Sequence, residues 1–183
     1  MAKNLLNDID KVLIDEETLQ ARIQELAQQI EDDYEDIDNL LIVCILKGAY
    51  VFTADFSRLL KRPHQVDFMA VSSYGGATKS SGVVRIVKDL KISLENQHVL
   101  ILEDIIDSGH TLAYLSDLLK TRNPASFKIC TLLNKPSRRE ADIPVDYIGF
   151  DIPDEFVVGY GLDYDEVYRN LPFVGILKPS VFA

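Results

Sequence analysis

The chain has little of what several classes of protein require. No uninterrupted apolar run approaches the roughly 18 residues that a membrane-spanning helix needs, and the first residues lack the basic and then apolar pattern of a signal peptide. Basic residues are scarce, with 19 Lys and Arg against 29 Asp and Glu and a net charge of −10. A general nucleic-acid binder needs a basic face and is therefore disfavoured. We expect a cytoplasmic protein that binds neither membranes nor nucleic acid.

Cysteine is almost absent as well, with two residues in 183. Cys44 lies in the apolar run 41–46, and Cys130 lies in the run 127–133. Neither cysteine has the spacing of a metal ligand or of a redox pair. We therefore expect two buried, reduced thiols with a structural role.

Hydrophobic residues make up 47% of the chain, and their periodicity outlines the predicted elements. An amphipathic helix is predicted from about Asp15, because Leu19, Ile23 and Leu26 fall on one face. Further helices are predicted up to about residue 60 and over 112–120. Apolar, strand-like segments lie at 40–46, 65–73, 83–87, 99–102, 127–133 and 146–150.

Strands that alternate with helices, with near-continuous apolar strands, predict an α/β fold around a mostly parallel sheet. The length corresponds to a single domain over residues 1–183. In such folds ligands bind beyond the carboxyl ends of the strands. The residues at those ends are therefore the candidates for a functional site.

The most informative segment is Val99–Thr111, which reads Val-Leu-Ile-Leu-Glu-Asp-Ile-Ile-Asp-Ser-Gly-His-Thr. Its first four residues predict a buried strand, and two acids, Glu103 and Asp104, follow it directly. A turn of small residues then leads from Asp107 through Gly109 into a helix. Unpaired N–H groups at a helix start, reached by a glycine turn, suit a phosphate. Neighbouring carboxylates can hold sugar hydroxyls or a hard cation such as Mg²⁺, so this segment predicts a site for phosphate, sugar and metal.

Each acid of this segment also has an ordinary structural explanation. Glu103 and Asp104 can simply end a strand, and Asp107 can cap a helix. That explanation is adequate for any one of the three acids. It does not account for their combination directly after a wholly apolar strand.

Two short segments are candidates for the same functional site only because this motif is present. Lys47-Gly48 follows the strand at 40–46, although such a turn is common after strands. Ser72–Gly76 opens a loop, 74–82, that is rich in Gly, Ser and Thr. This loop is either an ordinary solvated hairpin or a lid over a site.

Two later segments have the same double meaning. The basic cluster 134–139 is a surface turn by default, but its Lys135 follows a strand end and can enter a site. The segment 152–163 is aromatic and rich in glycine. Its Phe156 is either core or a surface that stacks on a flat heterocycle.

Taken together, these segments resemble the type I phosphoribosyltransferases, and among them the bacterial enzymes of hypoxanthine and guanine. The similarity runs from Lys47 to Arg169 and covers almost the whole chain. The acidic motif is shared by the superfamily, and the two later segments narrow the resemblance to enzymes of 6-oxopurines. The matching segments are 66–69, 72–75, 103–109, 135–140 and 152–161.

The resemblance implies a role for each candidate residue on the purine side. Asp107 would be the general base near purine N7, and Lys135 would reach the purine O6. Phe156 would stack on the ring, and Val157 would offer backbone hydrogen bonds. Asp163 would contribute to a second Mg²⁺ site or to the purine edge.

The resemblance also implies how phosphoribosyl pyrophosphate would be held. Glu103 and Asp104 would bind the ribose hydroxyls directly or through Mg²⁺, and Ser73 with Tyr74 would head the closing loop. His110 is the one departure in the phosphate loop, because relatives commonly carry Lys or Asn there. The residues expected to bind this substrate are Lys47, Gly48, Ser73, Tyr74, Glu103, Asp104, Asp107, Ser108, Gly109, His110, Thr111 and Arg169.

The implied reaction converts hypoxanthine or guanine and phosphoribosyl pyrophosphate into a nucleoside monophosphate and pyrophosphate, as in purine salvage. The implied fold is a mostly parallel sheet flanked by helices with a small hood from the terminal segments. Mg²⁺ is the implied cofactor, and a homodimer or homotetramer is the implied assembly. The family also shows a cis peptide at the turn equivalent to Leu46-Lys47, and we expect one here.

Three alternatives remain at this point. A regulator on the same fold would need a DNA-binding domain or a basic face, and the length and charge disfavour both. A receiver-like or flavodoxin-like module shares acids at strand ends but leaves the Lys135 and Phe156 segments unexplained. A phosphoribosyltransferase of another base, such as orotate, adenine or xanthine, fits the acidic motif equally well. The order of preference among hypoxanthine, guanine and xanthine also stays open.

Overall fold

The computed structural model describes residues 4–73 and 84–182, and a six-stranded sheet forms its centre. Five of its strands run parallel, and one edge strand is antiparallel to its neighbour. The strands are β2 (Leu40–Leu46), β3 (His64–Ser73), β4 (Val84–Lys88), β5 (His98–Ile106), β6 (Ser126–Asn134) and β7 (Tyr147–Asp151). Their order across the sheet is β4-β3-β2-β5-β6-β7, which places β5 in the interior between β2 and β6.

Helices cover both faces of this sheet. α1 (Glu16–Asp33) and α2 (Tyr50–Leu59) pack on one face, and α3 (His110–Lys120) packs on the other. The side chains of β5 alternate between the two cores: Leu100 faces the first and Val99 the second. A strand buried on both faces must be apolar throughout its covered part, and this explains the run at 99–102.

The acidic segment differs from the sequence expectation in one respect. The strand predicted at 99–102 continues to Ile106, so Glu103 and Asp104 lie within β5 and do not follow it. Pairing with β6 continues to the register partners Ile106 and Asn134, and this ladder keeps the chain extended. The helix also starts earlier than the predicted residue 112, at His110, because Gly109 turns the chain with φ of 85°.

A second, three-stranded sheet stands apart from the central one and forms a hood. It comprises β1 (Ile9–Ile14), β8 (Val157–Val158) and β9 (Val174–Leu177) in the order β1-β9-β8, all antiparallel. Periodicity did not reveal these strands, although the resemblance implied a hood from the terminal segments. The short helix α4 (Pro179–Phe182) follows β9.

The mixed α/β fold, the mostly parallel sheet, the flanking helices and the hood are thus confirmed. Cys44 and Cys130 are both buried and free, as expected. The loop expected at 74–82, including Tyr74, lies outside the described residues. Within the described ranges, none of the helices has the length and apolarity that crossing a membrane requires.

Candidate active site

The carboxyl ends of three neighbouring parallel strands carry most of the predicted residues. Lys47-Gly48 directly follows β2, Asp107 directly follows β5, and Lys135 directly follows β6. The Lys135 backbone N–H donates to the Ile106 carbonyl oxygen at 3.0 Å, which ties the ends of β5 and β6 together. Parallel pairing therefore brings residues from distant parts of the chain to one edge of the sheet.

The two acids of β5 serve different cavities, because neighbouring strand residues point to opposite faces. Glu103 lines a cavity of about 180 Å³ with the loop that follows β5. Asp104 lines a cavity of about 370 Å³ with Lys47 and Arg169. The acids are adjacent in sequence, yet they address separate spaces.

Burial disfavours the charged form of both acids, so their pKa values lie above the usual range. Burial raises the pKa of Glu103 well above its usual range, and the neighbouring Asp104 adds to that rise. Burial raises the pKa of Asp104 to about 6, although backbone N–H groups and Arg169 oppose the rise. Among the described residues, Oε2 of Glu103 is buried with no hydrogen-bond partner. A buried polar atom without a partner is costly, and a ligand hydroxyl or a cation would satisfy it.

Gly48 allows the β2 turn to approach Asp104 very closely. A β carbon built at Gly48 would lie 1.5 Å from Oδ2 of Asp104. A β carbon at Gly161 would in turn lie 2.1 Å from the Gly48 carbonyl oxygen, and Gly161 has φ of +98°. Three chain segments therefore meet here with no room for side chains. The expected cis peptide between Leu46 and Lys47 is present at this turn.

Two basic side chains occupy the larger cavity. Nζ of Lys47 lies 2.9 Å from Oε1 of Glu166. Nη2 of Arg169 lies 2.9 Å from Oδ1 of Asp163 and 3.2 Å from Oε2 of Glu166. The structure thus brings Lys47, Arg169 and Asp163 together at one cavity. Glu166, which pairs with both basic groups, was missed because its contact with Lys47 spans 119 positions.

The loop between β5 and α3 forms a cradle with few side chains. Asp107, Ser108, Gly109 and Thr111 line the smaller cavity together with Glu103. Gly109, the residue that precedes α3, has no side chain to cap the helix, and the N–H groups of a first helical turn have no partner within the helix. Such N–H groups and the positive end of the helix dipole favour an anion.

The segment after Lys135 braces this cradle from outside. The N–H groups of Glu140 and Ala141 both donate to the Ser108 carbonyl oxygen, at 3.0 and 2.9 Å. Nε2 of His110 lies 2.9 Å from Oε2 of Glu140. The side chain of His110, the one departure from the family pattern, thus faces this brace. Side chains of the segment 138–141 were missed as site residues, because their sequence indicated only a basic turn.

Two basic and two acidic side chains alternate from Asp107 to Lys135. Nε of Arg138 donates to Oδ1 of Asp107 at 3.1 Å and lies 3.8 Å from Oδ1 of Asp154. Nζ of Lys135 lies 3.8 Å from the same oxygen of Asp154. Lys135 is buried, with only 7% of its surface exposed. Among the described residues, the ammonium group of Lys135 has no acidic partner closer than 3.8 Å, so it is suited to a neutral or anionic ligand oxygen.

The hood contributes the last predicted residues. Phe156 exposes 40% of its surface, which is high for a phenylalanine, whereas Val157 is buried in β8. Val157 faces Ile176 in the register of β8 and β9. The exposed ring of Phe156 is therefore available to a ligand, and it stands at the start of a strand that fixes its backbone.

The acidic side chains of the larger cavity suit a metal ion that is bound jointly by protein and substrate. Among the described residues, no three acidic, His or Cys side chains form a cluster that could hold a metal. Glu103 stands apart from Asp104 and Asp163, which share the larger cavity. Mg²⁺ is commonly bound by one or two carboxylates together with substrate phosphates, and this pair meets that requirement. Ser73 is the last residue of β3, and Tyr74 lies outside the described residues, so the predicted roles of both remain predictions.

Comparison with known proteins agrees with this geometry. A model of the phosphoribosyl transferase domain matches residues 13–165. Hypoxanthine-guanine phosphoribosyltransferase of Mycobacterium tuberculosis H37Rv is 52% identical over 180 residues, covering 96% of this chain and 89% of that protein. The Bacillus subtilis enzyme of the same name is 53% identical over 176 residues, covering 96% and 97%. A crystal structure of a hypoxanthine phosphoribosyltransferase from Staphylococcus aureus has a TM-score of 0.94 at 49% identity, covering 100% and 99%.

Proposed function

The chain belongs to the phosphoribosyl transferase domain family, and on that premise we propose that it is a purine-salvage enzyme acting on 6-oxopurines. It transfers the 5-phosphoribosyl group of phosphoribosyl pyrophosphate to N9 of hypoxanthine, and of guanine as well. The products are the nucleoside monophosphate and pyrophosphate. One observation carries the proposal: the buried Lys135 stands beside a phosphate cradle, tied to it by its own N–H on Ile106.

The cradle at the start of α3 supports the binding of the 5′-phosphate. The loop Asp107–Thr111 offers backbone N–H groups and the hydroxyls of Ser108 and Thr111 to the phosphate oxygens. Glu103 lines the same cavity, and its unpartnered Oε2 accepts a hydrogen bond from a ribose hydroxyl. Phosphate and ribose are thus bound along a single segment of the chain.

The larger cavity is the place for pyrophosphate. Lys47, Gly48 and Arg169 line it with positive charge and an open backbone, as an anion requires. Asp104 and Asp163 would hold Mg²⁺ between the protein and the pyrophosphate oxygens. When bound, Mg²⁺ neutralises the negative charge that develops on the leaving pyrophosphate. Ser73 and Tyr74 are retained in the proposal as residues that contribute to binding phosphoribosyl pyrophosphate.

The purine lies between the cradle and the hood. Lys135 donates to O6, Phe156 stacks on the ring, and the Val157 backbone hydrogen-bonds to the purine edge. Asp163 reaches either Mg²⁺ or the same edge. The chain of alternating charges from Asp107 to Lys135 then spans the N7 and O6 side of the base.

Asp107 acts as the general base of the reaction. Its carboxylate stands at the end of β5, is half exposed, and is held by Arg138 at 3.1 Å. It accepts a proton from the purine as N9 forms a bond to the anomeric carbon and the C–O bond to pyrophosphate breaks. The ribosyl centre is cationic in that transition state, so water must be excluded from it. General-base assistance of this kind contributes roughly 10²- to 10⁴-fold to the rate.

The proposal also includes the setting of the enzyme. We assign residues 1–183 to one catalytic domain, and we place it in the cytoplasm as a homodimer or homotetramer. Light scattering on the eluting peak of a size-exclusion column measures the assembly directly. A phosphoribosyltransferase of another base is the remaining candidate function, and the buried Lys135 disfavours adenine.

The test is an assay of the purified protein with phosphoribosyl pyrophosphate, Mg²⁺ and one base at a time. Hypoxanthine, guanine, xanthine, adenine and orotate are compared while nucleotide and pyrophosphate are quantified. We expect equimolar nucleotide and pyrophosphate with hypoxanthine. Turnover of orotate or adenine alone would refute the proposal, and so would pyrophosphate release without nucleotide.

A further inference from the structure

Phe156 does not stand alone on the hood. Its ring is stacked on that of Phe182, with centroids 4.7 Å apart and an angle of 22° between the planes. Tyr164 meets Phe156 edge to face at 5.7 Å and lies 6.4 Å from Phe182. Three aromatic rings from three separate segments therefore form one cluster, and neither Tyr164 nor Phe182 has a role in the site described above.

The distances show which surface of Phe156 remains open. Tyr164 is at similar distances from the other two rings, so it flanks both of them. A ring on the opposite face of Phe156 would lie much farther from Phe182. Phe182 therefore covers one face of the Phe156 ring and Tyr164 covers one edge, so neither ring lies on the opposite face, and 40% of the Phe156 surface is exposed.

Both stacked rings are fixed through their backbones. The Leu177 N–H donates to the Phe156 carbonyl oxygen at 2.9 Å, which links the two segments at the sheet edge. The Lys178 N–H donates to the Asp8 carbonyl oxygen at 2.9 Å, and Nζ of Lys178 donates to that of Asn7 at 2.7 Å. These bonds hold the start of α4 against the N-terminal segment, so the approach of Phe182 to Phe156 is built into the hood.

We propose that Phe182 is a positioning residue for purine binding, which acts by holding the Phe156 ring in the orientation that stacks on the base. This inference rests on the proposed function, because it assigns the open face of Phe156 to the purine. A half-exposed phenylalanine without support would sample several rotamers, and ligand binding would then have to select one of them. Stacking on Phe182 selects that rotamer in advance.

The expected consequence is confined to the base. An aromatic pair contributes beyond its buried area by an amount that corresponds to roughly a three- to tenfold change in binding. Phe182→Ala should therefore raise the KM for hypoxanthine about three- to tenfold. The KM for phosphoribosyl pyrophosphate and kcat should change by less than about twofold, because Phe182 touches neither the cradle nor the larger cavity.

Matched variants separate stacking from volume and from general damage to the hood. Phe182→Tyr keeps a flat ring and should restore the KM for hypoxanthine, whereas Phe182→Leu fills similar space without a ring and should not. Leu6→Ala removes another exposed apolar side chain of the N-terminal segment, of which 55% is exposed, and should leave all three constants unchanged. Thermal unfolding of each variant accompanies the kinetics.

The outcomes are distinct. A selective rise in the KM for hypoxanthine that Phe182→Tyr reverses would support the inference. An unchanged KM in an active Phe182→Ala enzyme would overturn it and leave the proposed function intact. A lower KM would also overturn it, because the Phe182 ring would then occupy the place of the base. An equal effect on the KM for hypoxanthine in Phe182→Leu and Phe182→Tyr would overturn it as well, because side-chain volume and not stacking would then be what matters at position 182. No hypoxanthine turnover in the unmodified protein would refute the proposed function and this inference together.

Discussion

Gly48 and Asp104 approach so closely that a β carbon added to Gly48 would overlap the Asp104 carboxylate. The β carbon of an alanine at position 48 would lie 1.5 Å from Oδ2 and 2.6 Å from Cγ of Asp104. Asp104 is held in place by its strand and by the Ile105 N–H, which donates to its Oδ1 at 2.8 Å. The turn after β2 therefore packs directly against Asp104 of β5, with no room for a side chain at position 48.

Gly48→Ala should accordingly impair catalysis more than folding. The added methyl group must push the Asp104 carboxylate out of the larger cavity, and we expect kcat/KM to fall by about 10²-fold. Gly175→Ala is a matched control, because its β carbon would meet side-chain atoms of Ile9 and Phe173 at 3.0 Å. Steady-state kinetics and melting temperatures of both variants show whether the loss in Gly48→Ala is in catalysis or in folding. A Gly48→Ala enzyme with near-normal kcat/KM would show that Asp104 need not stay where it lies.

Replacing Asp107 tests the proposed general base. Asp107→Asn keeps the shape of the side chain and the contact with Arg138, but an amide cannot accept the purine proton. We expect kcat to fall by roughly 10²- to 10⁴-fold, with little change in the dissociation constant of phosphoribosyl pyrophosphate measured by calorimetry. If kcat stays near that of the unmodified enzyme, Asp107 only caps the start of the loop before α3.

Replacing the acidic pair should have the opposite signature. Glu103→Ala together with Asp104→Ala removes one carboxylate from each cavity. The concentrations of Mg²⁺ and of phosphoribosyl pyrophosphate needed for half-maximal rate should both rise, since we propose that these groups bind ribose and metal. Titration of each component at saturating concentrations of the others measures this. Unchanged half-saturation values would refute the roles assigned to the pair.

Asp67 provides a test of stability that is independent of catalysis. It is 6% exposed, and its carboxylate accepts from the N–H groups of Phe68, Lys91 and Ile92 at 2.6 to 2.9 Å. Burial alone would raise the pKa of Asp67, but these hydrogen bonds outweigh burial and hold the pKa below its usual value of 3.8. Because the folded pKa is the lower one, the unfolded chain binds the proton more tightly. The carboxylate therefore stabilises the fold above about pH 4, and that stability is lost as the pH falls through the folded pKa.

Asp67→Asn should thus lower the free energy of unfolding by about 1–3 kcal/mol at pH 7. The difference from the unmodified protein should shrink as the pH falls from about 4 through the lowered folded pKa of Asp67, because both side chains are neutral only below that pKa. Urea titrations at several pH values measure it, with Asp117→Asn on the exposed face of α3 as the control. A difference that is constant with pH would show that the charge of Asp67 contributes nothing.

Much of the fold was predictable because burial imposes visible patterns. The apolar run 40–46 is buried on both faces, and the sequence predicts the strand with its observed bounds. The end of β5 was not predictable in this way, since Glu103 and Asp104 look like the end of a strand. Their strand conformation comes from pairing with β6, a partner distant in the chain, and from the open cavities at that edge.

The hood and the braces of the site depend on contacts that local sequence does not contain. β1 is short and mostly exposed, and it pairs with β9 more than 150 positions away, so periodicity alone misses it. Arg138 reads as a surface residue, and only the fold-back of its segment brings it to Asp107. Resemblance to a family supplied the candidate substrate contacts, which periodicity alone could not supply. It did not single out Glu166, Asp154 or Phe182, which contact candidate site residues in the structure.

Lys135 carries the central claim, namely that this site is built for a 6-oxopurine. An ammonium has three donors and no acceptor, so it complements the carbonyl oxygen of hypoxanthine or guanine. Adenine presents an amino group at that position, which would leave the buried ammonium facing a donor. Hydrogen bonds to charged groups are worth roughly 1.5–3 kcal/mol, and an unpaired buried group costs at least as much.

The most direct measurement is the ratio of kcat/KM for hypoxanthine to kcat/KM for adenine, in the unmodified enzyme and in Lys135→Met. Methionine has similar length and no charge, so packing is largely kept. We predict a large ratio for the unmodified enzyme, and a collapse in Lys135→Met that comes from lost hypoxanthine activity while adenine activity stays equal or rises. Efficient turnover of adenine by the unmodified enzyme, or equal losses with both bases in Lys135→Met, would contradict the account.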